Sequence, residues 1–210
     1  MNYAFYVSGN AGRLKKLIDS NSGVLEKTRV VISDSNQTFG LKNKLKPLNI
    51  DYKYFEYLNV EGMNNKLSNF ILDQFNFYKI DYCFCFGNHI LKGKLVDVYK
   101  NRIINFHPSI LPMFPGRKSV DQALNNNSTI LLGNTAHFID KGIDTGPIIM
   151  QSVVQKSFFN NEKYEGILNI QIDMLEQIHH LLEQKKITFK DNKVVVSIDN
   201  HAKPVFFYSS

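Results

Sequence analysis

Apolar residues in the first half of this chain come in short unbroken runs that alternate with stretches of helical spacing. Tyr3 to Val7 reads as a strand, Ser8-Gly9-Asn10-Ala11-Gly12 as a tight turn, and Arg13 to Ile18 as the start of a helix. The alternation repeats with a strand over Lys27 to Ser33, a helix over Phe39 to Leu45 stopped by Pro47, and a strand over Tyr52 to Tyr57. Leu67, Phe70, Ile71 and Phe75 give Met63 to Tyr78 one apolar helical face. Tyr82 to Phe86 is apolar throughout, as a strand covered on both faces must be. A short helix through Leu95, Val96 and Val98 leads into a strand over Ile103 to Phe106.

The pattern changes after Pro108. A loop punctuated by Pro112, Pro115 and Gly116 precedes a helix near Val120 to Leu124. Strands follow over Leu131 to Ile139 and Ile148 to Val154, then a helix from Tyr164 to Gln184. Val194 to Val196 and Val205 to Tyr208 are expected to pair as a terminal hairpin. The order predicts an α/β fold: a mostly parallel sheet flanked by helices over residues 1–185, with a β extension over 186–210.

Composition narrows the classes. With 210 residues, 43% of them hydrophobic, the chain can bury a sizeable core. Its formal charge of +6 comes largely from scattered lysines such as Lys42, Lys44, Lys46, Lys92 and Lys94. Such charge is either solvated surface or an attractive field for an anionic substrate. No arginine-rich run or stacking motif points to nucleic acid. Cys83 and Cys85 share one strand face and lack the partners of a zinc set, so they read as buried thiols. The N-terminus shows no signal-peptide pattern and no run approaches the ~18 apolar residues of a membrane span, so cytoplasm is expected.

The chemistry concentrates in Asn105-Phe106-His107-Pro108 and in Gly142-Ile143-Asp144-Thr145-Gly146-Pro147. On a strand Asn105 and His107 point to one face while Phe106 points into the core, and Pro108 ends the ladder. An amide and an imidazole together can donate to a developing oxyanion, and the imidazole can carry a proton. Asp144, in a glycine-flanked turn, is the candidate to orient that imidazole, with Asp140 as a loop-shaping rival. His137 reads as structural and His179-His180 as a solvated edge. Ser8, Gly9 and Asn10 lie where a strand gives way to a helix, which suits a substrate anion and equally suits a plain turn. Arg13, just inside that helix, favours the anion.

Asn105-Phe106-His107-Pro108-Ser109-Ile110-Leu111-Pro112, Gly133-Asn134-Thr135-Ala136-His137-Phe138 and Gly142-Ile143-Asp144-Thr145-Gly146-Pro147 together resemble the folate-dependent formyltransferases. The resemblance runs over residues 3 to 155. It implies a Rossmann-like formyltransferase domain, 10-formyltetrahydrofolate as donor with no metal, and Asn105, His107 and Asp144 as the catalytic set. It further implies folate contacts from His89, Ile90 and Leu91 and from Ile139 and Asp140. The loop Pro115 to Leu124 is similar to that of formyltransferases of surface-polysaccharide pathways. The expected acceptor is therefore a nucleotide-linked amino sugar of the dTDP-4-amino-4,6-dideoxyglucose type, its diphosphate held by Arg13, Arg117 and Lys118. The alternatives are glycinamide ribonucleotide, water in a formyltetrahydrofolate hydrolase, or no reaction in a binding module. Val205 to Tyr208 either pack on the domain or form a homodimer edge.

Overall fold

A computed structural model describes residues 1–159, 163–191 and 193–197. The chain divides into two compact units, one of Met1–Asn105 with Phe138–Gly142, the other of Phe106–His137 with the described residues from Ile143 on.

The first unit contains β1 (Tyr3–Val7), α1 (Gly12–Asp19), β2 (Thr28–Ser33), α2 (Leu41–Leu45), β3 (Asp51–Tyr54), α3 (Met63–Tyr78), β4 (Tyr82–Phe86), α4 (Lys94–Val98) and the start of β5 (Ile103–His107). Its strands lie in the order β3-β2-β1-β4-β5, all parallel. Parallel neighbours need a crossover between them, and the helices supply it while covering the faces. That is why every residue of β1 is buried. One core cluster joins Leu67, Ile71 and Phe75 of α3 to Ala4, Tyr6, Cys83 and Cys85 on the sheet. Burial raises the Cys85 thiol to about 11 and raises Cys83 as well, so both are packing groups.

The second unit holds the end of β5, α5 (Ser119–Asn125), β6 (Leu131–Phe138, of which Phe138 falls in the first unit), β7 (Ile148–Gln155), α6 (Lys163–Glu183), β8 (Ile187–Lys190) and β9 (Lys193–Val196). β6 and β7 pair antiparallel, as do β8 and β9. Val120, Ala123, Leu132 and Ile167 form its apolar centre. Gln171 of α6 is fully buried and donates to Asn134 Oδ1 (2.8 Å) and to the Phe106 carbonyl (3.3 Å), fixing the helix to β6 and to the end of β5.

The α/β class and the parallel arrangement match the expectation, and the differences are local. The second helix starts at Leu41, not Phe39, because Asn36–Thr38 form a 3-10 turn that Phe39 closes. β3 ends at Tyr54, not Tyr57, after Phe55 N–H donates to the Ser33 carbonyl. Val194–Val196 pair with Ile187–Phe189 across a turn in which Asp191 has φ 50°. Val205 to Tyr208 lie outside the described residues. Among the described residues no helix is long and apolar enough to cross a membrane.

Gly133 shows how tightly β6 is packed: a Cβ there would lie 2.0 Å from the Ser152 carbonyl oxygen of β7. Because that obstacle is backbone, Gly133→Ala is expected to lower the unfolding free energy by about 1–3 kcal/mol in urea titration. An unchanged midpoint would mean that β6 and β7 lie farther apart.

Candidate active site

The chemical cluster in the second unit starts where β5 stops. Past Pro108 the chain turns back, and its backbone groups are taken up by side chains from β6 and β7. Thr135 Oγ1 donates to the Ser109 carbonyl (2.7 Å) and accepts from Leu111 N–H (3.0 Å). Gln151 Nε2 donates to Thr135 Oγ1 (3.0 Å) and to the Leu111 carbonyl (2.9 Å). Ser109 Oγ donates to the Met113 carbonyl at 2.6 Å. These bonds hold the loop so that the Phe114 carbonyl meets His107 Nε2 at 2.9 Å.

The other ring nitrogen of His107 faces Asp144. Nδ1 lies 3.3 Å from Oδ2, and the two side chains are 6% and 13% exposed. The same carboxylate lies 3.6 Å, through Oδ1, from His137 Nε2, and its Oδ2 accepts Gly116 N–H at 2.8 Å. Asp144 thus sits between two imidazoles and a backbone donor, on a residue at φ 54°, a conformation Asp tolerates better than most. Burial pushes the Asp144 carboxyl up, but the His137 ring, the Gly116 N–H and the charge of His107 outweigh it and hold it below its ordinary value. A His107 ring with an oxygen at each nitrogen can donate both ways only as an imidazolium.

Asn105 is the last residue of the first unit, half-buried, two positions before His107 on β5. Alternation along the strand sends both side chains to one face. Arg117 and Lys118 are exposed on the loop before α5. His137, read from the sequence as structural, belongs with Asp144. Its signal was parity, since Thr135 and His137 share a face of β6, and both meet segments that shape the cluster.

In the first unit, the turn after β1 is organised around Asp34, which directly follows the strand expected to end at Ser33. Its carboxylate is 2% exposed and accepts from the Tyr6 hydroxyl and from Ser8 Oγ (2.8 Å). Gly87 lets this happen, because a Cβ there would lie 2.0 Å from the Tyr6 ring. Ser8 Oγ in turn accepts Asn88 N–H at 2.9 Å. His89 Nε2 lies 3.7 Å from Asp34 Oδ2, and its ring stacks on Tyr57 at 3.5 Å.

Gly9 turns the chain at φ 58°, and Asn10 Oδ1 accepts Gly12 N–H at 3.0 Å, taking one of the donors at the start of α1. Arg13 lies 4.2 Å over the Phe86 ring and donates to the Phe86 carbonyl at 3.5 Å. Burial lowers its guanidinium to about 10, so it stays charged. Ile90 is exposed, whereas Leu91 is packed in the core. Ile139 N–H donates to the Ile103 carbonyl (2.8 Å), and Asp140 Oδ1 accepts Gly142 N–H at 3.0 Å.

A family model described as "Formyl transferase" matches residues 1–165. The chain belongs to that family. Its members carry the one-carbon unit on 10-formyltetrahydrofolate, in keeping with the donor expected from the sequence. The chain is similar to the phosphoribosylglycinamide formyltransferase of Bacillus subtilis, 34% identical over 116 residues, which is 55% of this chain and 54% of that protein. It thus spans about half the length of that relative. A formyltetrahydrofolate deformylase of Haemophilus influenzae is 48% identical over 65 residues, 31% of this chain and 23% of that protein. The crystal structure of glycinamide ribonucleotide transformylase 1 from Symbiobacterium toebii shares the fold, with a TM-score of 0.77, 24% identity and 93% of both chains covered.

These relatives correct the expected acceptor. The proteins this chain resembles are named for phosphoribosylglycinamide and for formyltetrahydrofolate hydrolysis, not for nucleotide-linked amino sugars or surface polysaccharide. The sugar reading rested on Pro115 to Leu124, a short loop with exposed Arg117 and Lys118 that runs into α5. Within it Val120 and Ala123 belong to the core, so a likeness there reflects packing and does not identify a substrate. With it goes the diphosphate that Arg13, Arg117 and Lys118 were expected to hold.

Asp144 also sets an acid dependence of stability. Its folded pKa is lowered, so its contribution is fully present above the unfolded value of about 4 and is lost as pH falls through the folded one. Asp144→Asn should therefore destabilise the protein at pH 7, and its deficit against wild type should shrink below about pH 4 in denaturant titrations at both pH values. A deficit independent of pH would show that the carboxylate's charge contributes nothing.

Proposed function

We propose that this protein transfers the formyl group of 10-formyltetrahydrofolate to the primary amine of phosphoribosylglycinamide. The observation that carries the reading is the contact between His107, buried at the end of β5, and the half-buried Asp144, within a chain of the formyl transferase family. The similarity to a phosphoribosylglycinamide formyltransferase supports the choice of acceptor.

In this reading the neutral amine attacks the formyl carbon and the carbonyl oxygen takes up negative charge. Asn105 donates to that oxygen from the side-chain amide. The His107 Nε2–H, which meets the Phe114 carbonyl at 2.9 Å, exchanges that carbonyl for the formyl oxygen when donor and acceptor bind. Asp144 stabilises the imidazolium from Nδ1 and, through water, accepts the proton that the attacking amine sheds. The tetrahedral intermediate then collapses: the bond from carbon to folate nitrogen breaks, and that nitrogen receives the proton. His137 supports the carboxylate from its other oxygen, at 3.6 Å.

Incubating the protein and 10-formyltetrahydrofolate with phosphoribosylglycinamide should add the mass of one formyl group to the acceptor. His107→Ala should lower kcat by about 10²–10³ and leave folate binding within a few fold. A second reading, supported by the likeness to a deformylase, makes water the acceptor. Formate released at the same rate with and without the amine would establish it and overturn the transferase.

A further inference from the structure

We propose that His179, His180 and Glu183 at the C-terminal end of α6 bind one divalent transition-metal ion of the zinc class. Glu183 follows His179 by four positions and His180 by three, and on a helix both are its surface neighbours. Because helical side chains lean toward the N-terminus, the carboxylate lies back over both rings. In the structure His179 Nε2 is 3.6 Å from Glu183 Oε2, and the two imidazole centroids are 5.4 Å apart at 34°. One ligand atom from each of the three residues falls within 4.8 Å of the others. Two ligands at zinc bond lengths of about 2.0–2.1 Å in a tetrahedron lie about 3.3 Å apart, so small rotations close the set.

The three residues differ in a way that suits capture. His179 is buried, while His180 and Glu183 are exposed and can turn toward an ion. Two imidazoles and a carboxylate favour zinc, nickel or copper over magnesium or calcium. Three protein ligands leave a fourth position for water. The carbonyl pole at the end of α6 adds a favourable field for a cation, opposed by Lys185 and Lys186 just beyond it. The ion would tie the last turn of α6 immediately before β8 begins at Ile187. None of these ligands belongs to the His107–Asp144–His137 cluster, so the inference stands apart from the proposed reaction.

Isothermal titration of the whole chain with zinc chloride tests it, with cobalt absorption as the check on coordination. Saturation at one ion per chain is expected, with a visible cobalt band and a melting temperature that rises with zinc. His180→Ala and Glu183→Gln, both exposed positions, should each weaken binding at least about tenfold and abolish the thermal shift. His107→Ala should leave affinity unchanged, which separates this site from the other histidines. The absence of saturable binding overturns the proposal, as does affinity that survives both the His180 and the Glu183 substitutions.

Discussion

The second unit is organised by one shared carboxylate. Asp144 receives a backbone N–H and lies within 3.6 Å of two imidazoles, so four segments are committed to one point: the end of β5, the loop to Gly116, β6 and the turn at 144. Burying a carboxylate is unfavourable unless several partners meet it. Here the surrounding donors outweigh the desolvation and keep Asp144 an anion beside the two rings. The neutral hydrogen bonds from Thr135, Gln151 and Gln171 hold the backbone of the loop after β5 and of β5 itself, and so fix the surroundings of the carboxylate.

The first unit shows the same logic with different groups. Parallel strands deliver their chemistry at their C-terminal ends, where the ladder stops and loops begin. Asp34 closes β2, Ser8 follows β1 and His89 follows β4, and these three meet through hydroxyl and carboxylate contacts. Burial raises the Tyr6 phenol, so that it remains a donor to Asp34 throughout the neutral range.

Much of this was legible in the chain. The run Tyr82 to Phe86 and the helical spacing from Met63 to Tyr78 coincide with β4 and α3, because burial on both faces or on one leaves an unambiguous period. The His107–Asp144 contact was legible too, since a proline that ends a strand and a glycine-flanked turn both mark loops. His137 offered only its parity with Thr135, and Asp34 offered nothing, because each meets partners that lie far away along the chain. The acceptor was misread from a ten-residue likeness over Pro115 to Leu124, a stretch in which Val120 and Ala123 serve the core and Gly116 holds Asp144, so likeness there reports packing rather than substrate. Arg13 shows the limit differently. A cation at the start of α1 looks like an anion contact, but Phe86 offers its guanidinium a ring face and a carbonyl that no local pattern announces.

β3 lies at the border of the first unit's strands and pairs with β2 alone. An unpaired strand border is a template on which another chain can crystallise into fibrils. This one spans only Asp51–Tyr54, and two of its four side chains, Asp51 and Lys53, carry opposite charges. So short and charged a border gives a passing chain little to zip onto, which disfavours edge-to-edge growth.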